Sequence, residues 1–248
     1  MSALLILAYL FFLGSLFGWV LELVYRKFFS KANPGHKWIN PGFCVGPYVP
    51  LYGSGLCILY LLAALGGARG WEGTVSGRAL LFFFMAVSMT GIEYLAGVLL
   101  LKIAHVRLWD YSMLWGNIDG LICPLFSFYW AMLGAVYYFL VHPRILEALR
   151  WLANNLAFSF VIGYFFGVFT IDLAYSVQLL ARLRQLAKEE QVVVKFENLK
   201  AHLHAARERA EMRQRFFFPF QTSRPLKEHL REAIEALELV RELPTDPD

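Results

Sequence analysis

From Leu4 to Tyr25 the chain runs the thickness of a bilayer with a single charged residue, Glu22. A hydrocarbon core is crossed by roughly 20 apolar residues in helical conformation. Four more segments approach or exceed that length: Val49–Leu65, Ala79–Ile103, Ile118–Val141 and Leu156–Leu180. Backbone amides find no water partner in lipid, so uninterrupted apolar runs of this length satisfy them internally, as helices. The expected fold class is all-α. It is a polytopic transmembrane helix bundle of about five spans over 1–180, followed by a charged cytosolic helical hairpin tail over 181–248. The lipid bilayer is its first partner.

Charge supports this division. Only 17% of the residues are charged, against about 25% in a soluble domain. Before Arg182 the acidic residues are Glu22, Glu72, Glu93, Asp110, Asp119, Glu147 and Asp172; beyond it both signs are dense and nearly balanced. The net charge of +4 therefore gives no reason to expect nucleic acid. Most of it lies in short loops, where lysine and arginine set orientation. Arg26, Lys27, Lys31 and Lys37 follow the first segment, Lys102 and Arg107 the third, and Arg182, Arg184 and Lys188 the fifth. The opposite loops carry Arg69 and Arg78, then Arg144 and Arg150. This asymmetry places the N-terminus outside and the tail in the cytosol. The first segment is too long for a signal-peptide core and lacks a basic start, so it reads as a retained helix.

In the tail, Val192, Phe196, Leu199, Leu203, Ala206 and Ala210 recur at alternating spacings of four and three. So do Leu226, Leu230, Ala233, Leu237 and Val240. Both series trace a 3.5-residue seam, as two helices packed on each other require. Ser223 and Pro225 suit the cap and first turn of the second. Between them Phe216–Phe220, flanked by Arg213, Arg215 and Arg224, suits a membrane interface, a docking surface or the closure of the hairpin's own core.

A carboxylate in hydrocarbon costs about 3 kcal/mol or more at a helix centre, so intramembrane acids mark candidate sites. Glu93 is the deepest, then Asp172; Glu22 lies near the end of its segment. All three fall in the half toward the tail, where they could face one polar cavity. Glu22 and Glu93 are expected to meet, with Asn40 and Asp110 nearby; two such anions repel unless a cation intervenes. The Pro- and Gly-dense stretch Asn40–Gly55 cannot be regular helix throughout. It reads as irregular backbone lining a cavity or as an interfacial loop. Arg107-Leu108-Trp109-Asp110-Tyr111-Ser112 joins the third and fourth segments, with Arg107 placed to pair with Asp110 and with Asn117 and Asp119 following.

A faint parallel repeat relates Glu22, Tyr25, Asn40, Gly42, Cys44 and Pro47 to Glu93, Tyr94, Asn117, Gly120, Cys123 and Pro124, each proline opening the next helix. Gly14/Gly18 and Gly163/Gly167 have the spacing of close helix contacts. Cys44, Cys57 and Cys123 suit buried packing. The six histidines are scattered, and neither H-E-x-x-H, a Cys/His cluster, G-x-S-x-G nor a P-loop occurs. No metal or cofactor is expected.

Glu22 with Tyr25, the Asn40–Gly55 block, Glu93, Leu108–Ser112, and Asn117, Gly120, Cys123, Phe126 and Trp130 together resemble the bacterial "putative ABC-transporter type IV" (CmpB-like) membrane family over residues 10–180. Pro41 stands where that family's block carries an arginine, and the tail is not part of the likeness. The resemblance implies a multi-pass inner-membrane protein with a permease-type label. The leading reading is a permease-like component moving a small or amphipathic solute through a polar site. Glu22, Asn40, Glu93, Trp109, Asp110 and Asn117 are the substrate-binding candidates. ATP-driven transport would need a separate ATPase chain; the tail offers a surface for a cytosolic partner, and self-association is compatible with both. The alternatives are a membrane enzyme acting on a lipid or polyprenyl substrate, with Glu93 or Asp110 as acid or base, and a scaffold recruiting a partner through its tail.

The charge asymmetry yields a direct test. A reporter fused at residue 248 should behave as cytosolic, and one fused between Arg69 and Arg78 as external. An external signal from the C-terminal fusion would reverse the orientation.

Overall fold

The computed structural model describes residues 2–30, 33, 35–189, 193–209 and 225–242. Helix α1 spans Ala3–Phe28, opened by Ser2, whose Oγ accepts from the Leu5 amide. Helix α2, Pro50–Ala68, starts on a proline, whose missing N–H costs nothing in the first turn. Helix α3, Val75–Ala104, is capped by Thr74 and stops at His105, which takes a left-handed conformation. Helices α4 (Pro124–Val136) and α5 (His142–Asn154) join through a π turn, Tyr137–Val141. Helix α6 is Ser159–Glu189. Ala3–Phe28, Pro50–Ala68, Val75–Ala104, Pro124–Asn154 and Leu156–Lys188 are each long and apolar enough to cross a membrane.

Several boundaries differ from the expected ones, those of the fourth span for local reasons. The fourth span begins at Pro124 rather than Ile118, because Asp119 and Gly120 both take positive φ and form a turn there. It also runs past Val141 to Asn154. Pro143 has no amide to give the preceding turn, and the π turn absorbs the defect, with His142 N–H donating to Tyr137 O. The second helix is opened by Pro50 rather than Pro47.

Helices α1 and α2 approach most closely at glycine. A Cβ on Gly14 would lie 2.9 Å from Tyr52 O and 3.0 Å from Gly53 Cα, and one on Gly53 would lie 2.7 Å from Phe11 O. Leu10, Leu59, Leu81, Met85, Met89 and Trp130 fill the core between α1, α2, α3 and α4. The other glycine pair does not do this: Cβ atoms on Gly163 and Gly167 would meet nothing within 4 Å. They lie on α6 beside Phe160, Tyr164 and Ile171, all strongly exposed. Only 11% of that helix's most apolar window is buried inside the protein, which leaves the rest for lipid or another chain to cover.

Helices α7 (Phe196–Arg209) and α8 (Leu226–Glu242) form the described part of the tail. Short parallel strands, β1 (Val106–Arg107) and β2 (Val194–Lys195), tie it to the end of α3. Phe196, Leu199 and Leu203 do face Leu230 and Ala233, as the seam requires. They also share a core with Ala104, Val106 and Leu108, and with Leu180, Leu183 and Ala187 of α6. Val192, Ala210, Ser223 and the run Phe216–Phe220 lie outside the described residues.

The two glycine pairs should respond differently to an added methyl group. Gly14→Ala should destabilise the detergent-solubilised protein by about 1–3 kcal/mol, through overpacking, and lower its Tm. Gly163→Ala should leave Tm unchanged or slightly raised. Equal behaviour in thermal unfolding would contradict the packing described.

Candidate functional site

At the end of the bundle that carries the tail, the glutamates of α1 and α3 are each held by donors from other elements. Glu22 accepts from Arg26 Nε at 2.9 Å, one turn on, and from the Tyr52 hydroxyl of α2 at 2.9 Å. Glu93, 4% exposed, accepts from Trp130 Nε1 of α4 at 2.8 Å and from the Tyr111 hydroxyl at 3.0 Å. The Tyr52 and Trp130 rings lie 5.6 Å apart, and the two carboxylates are within electrostatic reach of one another. Arg26 supplies a cation paired with Glu22. Tyr111 stacks on Phe126 at 4.2 Å, and Tyr25 meets the edge of Phe126 at 6.4 Å. The result is one cluster of two carboxylates, one guanidinium and an aromatic wall. Burial first, and the charge of Glu93 second, push the Tyr111 hydroxyl well above its ordinary range, so it stays protonated and donates.

Asp172 does not join this cluster, contrary to the expectation that three carboxylates share a cavity. It accepts from the Val45 amide (3.0 Å), the Gly46 amide (2.6 Å), the Tyr48 hydroxyl and Ser176 Oγ (2.9 Å). Four donors compensate its burial, and their effect is to fasten the loop before α2 to α6. Cys44, packed beside Tyr48 and Phe165, has its thiol pushed up to about 12, mainly by burial and then by the charge of Asp172. It packs there as a small hydrophobic group.

Asn40, 2% exposed, is the hub of the same loop. Its amide donates to Cys44 O and Val45 O, and its oxygen accepts from Trp19 Nε1 at 2.6 Å. Lys200, buried on α7, donates to Asn40 O at 2.8 Å and Gly42 O at 2.6 Å. Asn117 does the equivalent work in the second loop: its amide donates to Ser112 O and Leu114 O, and its oxygen caps the Gly120 amide. Gly120 sits at φ +66°, and a Cβ there would lie 2.3 Å from Arg107 Nη1. Trp109 donates to Leu121 O at 2.8 Å. Asp110 pairs with Arg107 at 3.1 Å and with Lys195 at 2.9 Å. Of the six residues singled out in the sequence, Glu22 and Glu93 thus come together. Asn40, Trp109, Asp110 and Asn117 shape the two loops beside them.

Tyr52, Tyr111, Trp130 and Arg26 complete the cluster, and the sequence reading did not assign them to it. Arg26 was legible through its spacing of four from Glu22. The aromatic donors were not, because interfacial tyrosine and tryptophan look alike whether or not they meet a carboxylate.

A family model described as "Putative ABC-transporter type IV" matches residues 9–177, from within α1 through most of α6. No curated protein and no solved structure matches the chain.

Asp110 carries the pH dependence of the tail's attachment. Burial alone would raise its pKa, but hydrogen bonds to Lys195 and Ser112 outweigh this and hold it at about 2. A depressed carboxylate stabilises the fold above its ordinary pKa, near ~3.9, and that contribution fades as pH falls toward the folded value. Asp110→Asn should remove it at neutral pH. Amide exchange at Val194 and Lys195, which form β2, should accelerate several-fold. Exchange equal to wild type would show that the ion pair does not secure the tail.

Proposed function

The chain belongs to the family described as "Putative ABC-transporter type IV", and from that premise we propose that its bundle acts as a permease-like component, passing a small or amphipathic solute by the Glu22–Glu93 cluster. A membrane protein of a transport-related family needs a place where solute groups replace water. The observation that carries the reading is the meeting of two carboxylates from different helices against one aromatic wall. Glu22 remains partly exposed and Glu93 is closed off, so the cluster runs from an accessible group to an enclosed one. Carboxylate oxygens suit a hydrogen-bond donor or a cation on the solute; Tyr25, Tyr111, Phe126 and Trp130 suit its apolar part.

The sequence has no G-x-x-x-x-G-K-[ST], so ATP as the energy source requires a second chain. In this reading the protein lies in the bacterial inner membrane with its tail in the cytosol. The cluster then opens toward the side where such an ATPase would dock.

The test uses purified protein incubated with a cell metabolite extract, washed, and analysed for retained small molecules by mass spectrometry. Glu93→Gln keeps the acceptor for Trp130 but removes the charge. Wild type should retain a species that Glu93→Gln holds at least tenfold less well, with unchanged circular dichroism. Equal retention by the folded variant would discard the site. Release of a chemically altered species would favour the membrane enzyme instead.

A further inference from the structure

The two tail helices bring together three side chains that the function proposed above does not use. His202 lies on α7; His229 and Glu232 lie on α8, three residues apart and so on one helix face. Both imidazoles lie close to the same carboxylate oxygen. Glu232 Oε2 is 3.3 Å from His202 Nε2 and 3.9 Å from His229 Nδ1. The three potential ligand atoms all lie within 4.8 Å of one another. His229 is 7% exposed, whereas the Glu232 side chain is 44% exposed, so the trio has a closed wall and an open side.

We propose that His202, His229 and Glu232 form a binding site for a divalent transition metal of the zinc class. Donors around a tetrahedral zinc at about 2.1 Å stand roughly 3.4 Å apart. One separation here already matches; the other two close with small side-chain rotations. Two imidazole nitrogens and one carboxylate oxygen suit zinc, cobalt or nickel and are poor for magnesium or calcium, which take oxygen ligands. The open side of Glu232 leaves room for a water as fourth ligand. The site joins α7 to α8. Lys200, two residues before His202, grips the Asn40–Gly42 loop, so the metal would clip α8 onto the helix that anchors the tail to the bundle.

The test uses the full chain in detergent, purified without a polyhistidine tag and stripped with chelator. It is titrated with Zn2+, and with Co2+ as a spectroscopic probe. Wild type should take up one equivalent of zinc that survives desalting, and Co2+ should give the visible bands of a low-symmetry, nitrogen-containing site. His202→Gln and Glu232→Gln alter partly exposed side chains and should leave the fold intact by circular dichroism. Each should weaken zinc by more than about tenfold, the loss that even an outer partner of a metal site carries. Zinc should also slow amide exchange in α8 of wild type but not of the variants. Zinc uptake by wild type no greater than that of a variant carrying both substitutions would overturn the proposal. So would a stoichiometric zinc that both substitutions leave untouched, because it would then sit elsewhere.

Discussion

A carboxylate placed in hydrocarbon without donors costs about 3 kcal/mol or more, and the way this chain offsets that cost organises its helices. Each intramembrane acid is met by groups from an element distant in sequence. Glu22 of α1 takes the Tyr52 hydroxyl of α2, Glu93 of α3 takes the indole of Trp130 on α4, and Asp172 of α6 takes two loop amides and Tyr48. Dispersion between glycine-lined faces then sets how closely α1 and α2 approach. Helix α6 has few protein neighbours in its apolar stretch, and Asp172 and the second core at its tail end hold it in register.

The same polar fasteners govern the two loops. Asn40 and Asn117 each satisfy two carbonyls of their own loop, and a proline opens the helix that follows in both halves. The halves differ in direction: Asn40 bonds forward along the chain and Asn117 backward. The first loop is further locked from outside by Lys200 and Asp172, the second by the ion pair of Asp110 with Lys195. The tail is therefore tied to both loops that flank the Glu22–Glu93 cluster.

Hydropathy made the five membrane-length helices legible, because the apolar runs are long and the acids few. Their ends were less so. Gly120 with Asp119 shortened the fourth span by a turn chemistry that an apolar window ignores, and its continuation past Val141 rests on a π turn that composition does not show. Glu22 and Glu93 stood out because carboxylates are rare in such segments. Asp172 was equally conspicuous but proved to fasten a loop, since its donors are backbone amides that any sequence possesses. The convergence of His202, His229 and Glu232 was hidden because it depends on how two tail helices rotate against each other.

The central claim is that Glu22 and Glu93 form one coupled polar site, and a double-mutant cycle in thermal unfolding of the detergent-solubilised protein tests it most directly. The account predicts that Glu22→Gln and Glu93→Gln together change stability by an amount differing from the sum of the single effects by at least about 0.5 kcal/mol. Additivity within about 0.3 kcal/mol, the behaviour of independent positions, would contradict it.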